Sequence, residues 1–88
     1  MLKLPVVVTH AQALDTARLL AAKVTSDAAD VVLDASALTQ FDSSALAVML
    51  QCRREALAQG KEFAVHGLTP HLAGLAALYG VEDLLKAA

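Results

Sequence analysis

The feature that most constrains this chain is the run Val31-Val32-Leu33, closed by Asp34. Three apolar residues in a row, two of them β-branched, have the length of a strand without the alternation expected when one face meets water. Such a strand is expected to be buried on both faces and to need strand neighbours. Two other β-type runs can supply them: Leu4 to Val8, with Pro5 at a tolerable position near its start, and Glu62-Phe63-Ala64-Val65-His66. Longer helical runs separate the three. Strands alternating with helices imply right-handed crossovers and a mainly parallel sheet. The expectation is a single α/β domain over residues 1–88, a small sheet with helices packed against it and Val31–Leu33 and Ala64–Val65 among its central strands.

The helical runs carry their own punctuation. Thr9-His10-Ala11-Gln12 has the form of a capping box, and predicts a helix over 11–25 with Leu14, Ala17, Ala21 and Val24 inward and Asp15, Arg18 and Lys23 mostly off that face. Ser26-Asp27 and Asp30 bound a turn. A second helix is predicted over 44–59, with Leu46, Met49, Leu50 and Leu57 inward, Gln51, Arg54 and Glu55 outward, and Gly60 as a left-handed stop. Thr69-Pro70 pairs an N-cap with proline at the first helical position. The helix that follows, over 70–79, carries Leu72, Leu75, Ala76 and Tyr79 on one stripe, and Gly80 ends it. Val81 to Lys86 reads as a short strand or helical turn.

Composition removes several function classes. Seven Lys and Arg against nine Asp and Glu leave a net charge of −2, which does not suit phosphate neutralisation on nucleic acid. Cys52 stands alone and forms no internal disulfide, as suits a reducing compartment. The longest strictly apolar run, Ala45 to Leu50, is far short of the roughly 20 residues of a membrane span, and the amino end lacks the pattern of a secretory signal. The three histidines and Cys52 show no metal-ligand spacing, and Gly60, Gly67, Gly74 and Gly80 are too scattered to cradle a phosphate. Ser43 lacks the nucleophile elbow and a base placed to activate it, so a hydrolase reading has no support. The expectation is a protein without enzymatic activity, cofactor or metal. Its apolar fraction of 57%, above the usual 45–50%, points to a surface that a partner covers.

One segment carries a candidate site. Asp34 ends a strand, and Phe41-Asp42-Ser43-Ser44-Ala45-Leu46 is a loop running into a helix. In a parallel α/β domain both are expected beyond the strands' carboxyl ends, where ligands bind. Two readings stay open. Asp42 or Ser43 is an ordinary helix cap, or the segment is a recognition or phosphorylation site at the positive end of a helix dipole.

These residues, with Gly60 and the strand Glu62 to His66, resemble the STAS domain family, named for sulphate transporters and anti-sigma-factor antagonists. The resemblance covers about Val6 to Leu85. In the antagonists the serine after the motif aspartate, here Ser43, is phosphorylated by a partner kinase. Gly67-Leu68-Thr69-Pro70 and Leu75-Ala76-Ala77-Leu78-Tyr79-Gly80-Val81 are similar to the MlaB branch, the STAS subunit of Mla-type phospholipid transport in Gram-negative bacteria. That resemblance implies a cytoplasmic protein that binds the ATPase subunit of an ABC transporter and supports outer-membrane lipid asymmetry, meeting the inner membrane only through that complex. The expected partner face is Asp42, Ser43 and Ser44, with Ala47 and Gln51 spaced along one exposed edge of the helix that follows and Asp34 in support. The rival that the resemblance leaves is an anti-sigma-factor antagonist bound to a kinase-type anti-sigma factor, with Ser43 as phosphoacceptor. Ala45 stands where many antagonists carry glycine. Only Leu2 to Val8 precedes the first helix, so the family's opening β-hairpin is expected to shrink to one strand.

Overall fold

The structure, a computed structural model, describes residues 2–26 and 30–85. Its elements in chain order are β1 (Leu2–Lys3), β2 (Val7–Val8), α1 (His10–Ser26), β3 (Val31–Asp34), β4 (Gln40–Phe41), α2 (Ser43–Ala58), β5 (Phe63–His66), α3 (Pro70–Leu78) and a 3₁₀ turn (Glu82–Leu84). β3 is the middle strand of a parallel sheet ordered β1-β3-β5, with Val31 beside Phe63 and Asp34 beside His66. A second parallel pair joins β2 to β4, Val8 beside Phe41. This is the α/β domain that the alternation of runs predicts. No helix among the described residues is long and apolar enough to cross a membrane.

The amino end departs from expectation. Leu4 to Val8 is not one strand, and the described residues form no hairpin there: two two-residue strands flank Pro5 and pair with different neighbours. The Leu4 amide still donates to the Asp34 carbonyl, whereas the Val6 carbonyl accepts from Thr39 and Gln40. Proline, lacking an N–H and fixed in φ, cannot continue the ladder, and the chain changes partner there. β4, read from sequence as loop, is the other half of that exchange. β5 is an edge strand among the described residues rather than a central one, although Val65 is buried. β3 also alternates: Val31 and Leu33 are buried, but Val32 is only half-buried. The second face of the sheet is therefore only partly covered.

Helix phases explain the remaining corrections. The buried side of α1 runs through Thr16, Leu20 and Val24, with Ala13 and Ala17 packed partly against the core. Leu14, expected inward, is 62% exposed. A polar Thr on the buried side and leucines at 14 and 19 off it turn the apolar stripe away from the true one. On α2, Ala45, Leu46, Val48, Met49, Cys52 and Ala56 are buried, while Leu57 is exposed and Gln51 and Glu55 are half-buried instead of outward. On α3, Leu72 and Ala76 reach the core, and Tyr79 lies beyond the last helical residue, exposed. Burial pushes the Cys52 thiol up to about 11, aided by nearby Glu55, so it packs as an inert hydrophobe. The expected turn residue Asp27 and the final Lys86 lie outside the described residues.

One glycine is needed for contact as well as conformation. Gly67 follows β5 with φ +74°, and a Cβ there would lie 2.7 Å from the Ser36 Cβ and 3.0 Å from its backbone. Gly60 has a similar φ but open space around the same position. Gly67→Ala is expected to cost about 2–4 kcal/mol, combining the left-handed penalty with overpacking. Gly60→Ala should cost about 1–2 kcal/mol, the conformational part alone. Urea unfolding of the two variants side by side checks the difference.

Candidate functional site

The parallel strands bring the helix starts to one end. α1 begins two residues after β2, α2 two residues after β4, and α3 shortly after β5. Two contacts tie these starts together. An Asp42 carboxylate oxygen accepts from the His10 amide at 3.1 Å, linking the first turns of α2 and α1. The Phe41 and His71 rings lie 5.2 Å apart, centre to centre, linking β4 to the first turn of α3.

Asp42, not Ser43, is the cap of α2. Its backbone is extended, and its Oδ1 accepts from the Ser44 amide at 2.8 Å. The carboxylate thereby satisfies free N–H groups of two helices and sits near the positive ends of both dipoles. Its pKa is lowered, first by the Ser44 amide and then, against some desolvation, by the His10 amide. Ser43 is the first residue of α2. It is exposed, and its hydroxyl makes no hydrogen bond among the described residues. Ser44 is half-buried.

Further along the helix, exposed Ala47 and half-buried Gln51 line a groove between α1 and α2, together with Leu14, Ala17 and Glu55. Gln51 is held by its neighbours: Arg54 Nη1 donates to its Oε1 at 3.0 Å, and its Nε2 donates to Glu55 Oε1 at 3.3 Å. The sequence hides the α1 wall of this groove, because Leu14 reads as an inward residue there.

Asp34 is occupied locally. Its Oδ1 accepts from both the Ser36 hydroxyl, at 2.6 Å, and the Ser36 amide, at 2.9 Å, closing the turn after β3. Those two bonds lower its pKa, with smaller help from His66 and Lys3. It makes no hydrogen bond to Asp42, Ser43 or Ser44 among the described residues. The structure thus draws Asp42 to Gln51 along one helix and leaves Asp34 in a separate turn, beside Gly67.

Fold and site together define a small parallel α/β domain whose helix starts gather at one end, with a serine presented to solvent at the start of α2. The family model described as "Mlab, STAS domain" matches residues 2–86. The chain belongs to the STAS domain family. A comparison with proteins of curated function returns no match. STAS domains are in general non-enzymatic modules of protein–protein interaction.

The capping carboxylate makes the site acid-sensitive. Because the folded-state pKa of Asp42 is depressed, its stabilising contribution is complete above the ordinary carboxylate value of about 4 and is lost as pH falls through the lower folded value. Asp42→Asn keeps an acceptor for the Ser44 amide but has no charge to lose. The variant should be less stable than wild type at neutral pH, and the gap should close below about pH 4. Thermal unfolding between pH 7 and pH 2 checks this, with Asp34→Asn run alongside because Asp34 shifts in the same direction.

Proposed function

We propose that this domain is the STAS subunit of a Mla-type ABC transporter of phospholipid. It docks on the cytoplasmic ATPase subunit through Asp42, Ser43, Ser44, Ala47 and Gln51. In that role it is cytoplasmic and meets the inner membrane only through the complex. The observation that carries the reading is the division of labour at the start of α2. Asp42 does the capping, so the exposed Ser43 hydroxyl is spare as far as folding is concerned and available to a partner. The Mlab description of the matching family is in keeping with this reading.

The second reading is an anti-sigma-factor antagonist with Ser43 phosphorylated by its kinase partner. Exposure of the hydroxyl at a helix N-terminus favours it, since a phosphate there meets free N–H groups. Against it, the phosphate would stand one residue from the Asp42 carboxylate, and the two negative charges repel.

The two are separated by stability and affinity measured together. Ser43→Asp places a charge favoured by the positive end of α2 but repelled by Asp42, two opposed effects at an exposed position, and should unfold within a few degrees of wild type. It should bind the ATPase subunit tens-fold or more weakly, because it buries an unpaired charge and lacks the hydroxyl donor. Ser43→Thr keeps the hydroxyl and should bind like wild type. Ala47→Arg should abolish binding with an unchanged far-UV circular dichroism spectrum. Wild-type affinity in both Ser43→Asp and Ala47→Arg would refute the docking face, and stoichiometric phosphorylation of Ser43 by a sigma-factor-linked kinase would favour the second reading.

A further inference from the structure

A hollow of about 230 Å³ lies between the later turns of α2, the start of β5 and the 3₁₀ turn, lined by Arg53, Leu57, Glu62, Phe63 and Leu84. Arg53 and Leu57 are four residues apart and share a face of α2. Phe63 stands beside buried Val31 in the sheet, so its ring lies on the side that the helices cover. Glu62 is fixed at its backbone. Its amide donates to Asp30 Oδ1 at 3.0 Å, and its carbonyl accepts from the Val31 amide at 2.9 Å.

Two properties set this hollow apart from ordinary surface. Its walls are apolar but left open: Leu57 is 47% exposed, Leu84 38%, and Phe63 half-buried. Three large apolar side chains from three elements thus meet at one point without closing it. The hollow also carries one charge of each sign. Among the described residues neither the Arg53 guanidinium nor the Glu62 carboxylate makes a hydrogen bond or an ion pair, with the other or with any third group.

We infer that this hollow binds a small zwitterion with an apolar side chain, the class of the free aliphatic and aromatic α-amino acids. Arg53 donates to the α-carboxylate, with which a guanidinium can form two parallel N–H bonds. Glu62 accepts from the α-ammonium, and the ligand's side chain fills the space among Leu57, Phe63 and Leu84. The charges decide the class. A simple anion is drawn to Arg53 and repelled by Glu62, and a simple cation the reverse, so only a ligand with both signs satisfies both walls. An internal peptide segment offers neither terminal charge. Size decides the rest, since the hollow is smaller than the roughly 300–1,000 Å³ of sites for drug-sized ligands. The open side keeps binding weak, with a dissociation constant on the order of 1 mM. Arg53 lies ten residues beyond Ser43 on α2, about 15 Å along the axis. The site is therefore separate from the docking face proposed above and does not depend on it.

The test is an NMR titration of this chain with L-leucine up to about 20 mM at neutral pH, well above the expected dissociation constant. Saturable amide shifts are expected, concentrated in residues 53–57, 62–63 and 82–84. L-Leucinamide, which lacks the carboxylate, and N-acetyl-L-leucine, which lacks the ammonium, should each bind at least fivefold more weakly. Arg53→Gln and Glu62→Gln, at positions the core does not use, should weaken L-leucine to the same extent with unchanged far-UV circular dichroism. O-Phosphoethanolamine, a zwitterion without an apolar body, should bind at least fivefold more weakly than L-leucine. Affinity for it equal to that for L-leucine would make the site a reader of lipid headgroups and overturn the inference. Absence of saturable shifts with both L-leucine and L-phenylalanine overturns it as well, as does L-leucine binding indifferent to Arg53→Gln and Glu62→Gln.

Discussion

The Asp42 carboxylate holds the organisation of this domain together. One oxygen accepts from the Ser44 amide and the other from the His10 amide, so a single side chain starts α2 and pins the start of α1 beside it. Two helices that begin at one point and pack along their length must run parallel, and the Gln59–Thr25 bond near the far end shows that they stay in step. From this register follow the buried seam of α1 and α2 over the sheet and the groove on their outer side. The charge matters as much as the geometry. Two helix starts place positive dipole ends at the same carboxylate, and its pKa is lowered first by the Ser44 amide and then by the His10 amide.

The same interaction frees the serine next to it. A helix needs few side-chain caps at its start, and here the aspartate fills the role from the position before the helix. Ser43 can then vary in what it touches without disturbing what the fold requires. Asp34 does the opposite: it spends its carboxylate on Ser36 and shapes the turn that Gly67 packs against. Two acids that look alike in the sequence thus have different consequences. One organises the face next to Ser43, and the other shapes the adjoining loop.

Much of this was legible in the sequence because it rests on strong local signals. The apolar run of β3, the left-handed glycines at 60 and 80, and Thr69-Pro70 opening α3 each act within a few residues. What was not legible depends on who sits opposite. β4 is two residues long and exists only because Pro5 turns the amino end toward it. Leu14, Leu57 and Tyr79 are apolar, and apolarity alone put them inward. Their helices face the core through Thr16 and Leu20, through Ala56, and through Leu72 and Ala76 instead. The choice of Asp42 over Ser43 as the cap was equally open, since both residue types cap well and only the extended backbone at Asp42 decides it.

In the proposed function the start of α2, rather than an apolar surface elsewhere, is where this STAS domain meets its partner. The rival surface is the exposed end of α3, where Leu78 is 80% exposed and Tyr79 58%. Amide hydrogen exchange on this chain, alone and with the purified ATPase subunit of a Mla-type transporter, tests the claim most directly. The expected result is slowed exchange concentrated in residues 42–51, with β3 and β5 unchanged. Slowed exchange confined to residues 75–85, with the first turns of α2 exchanging as in the free domain, would contradict it.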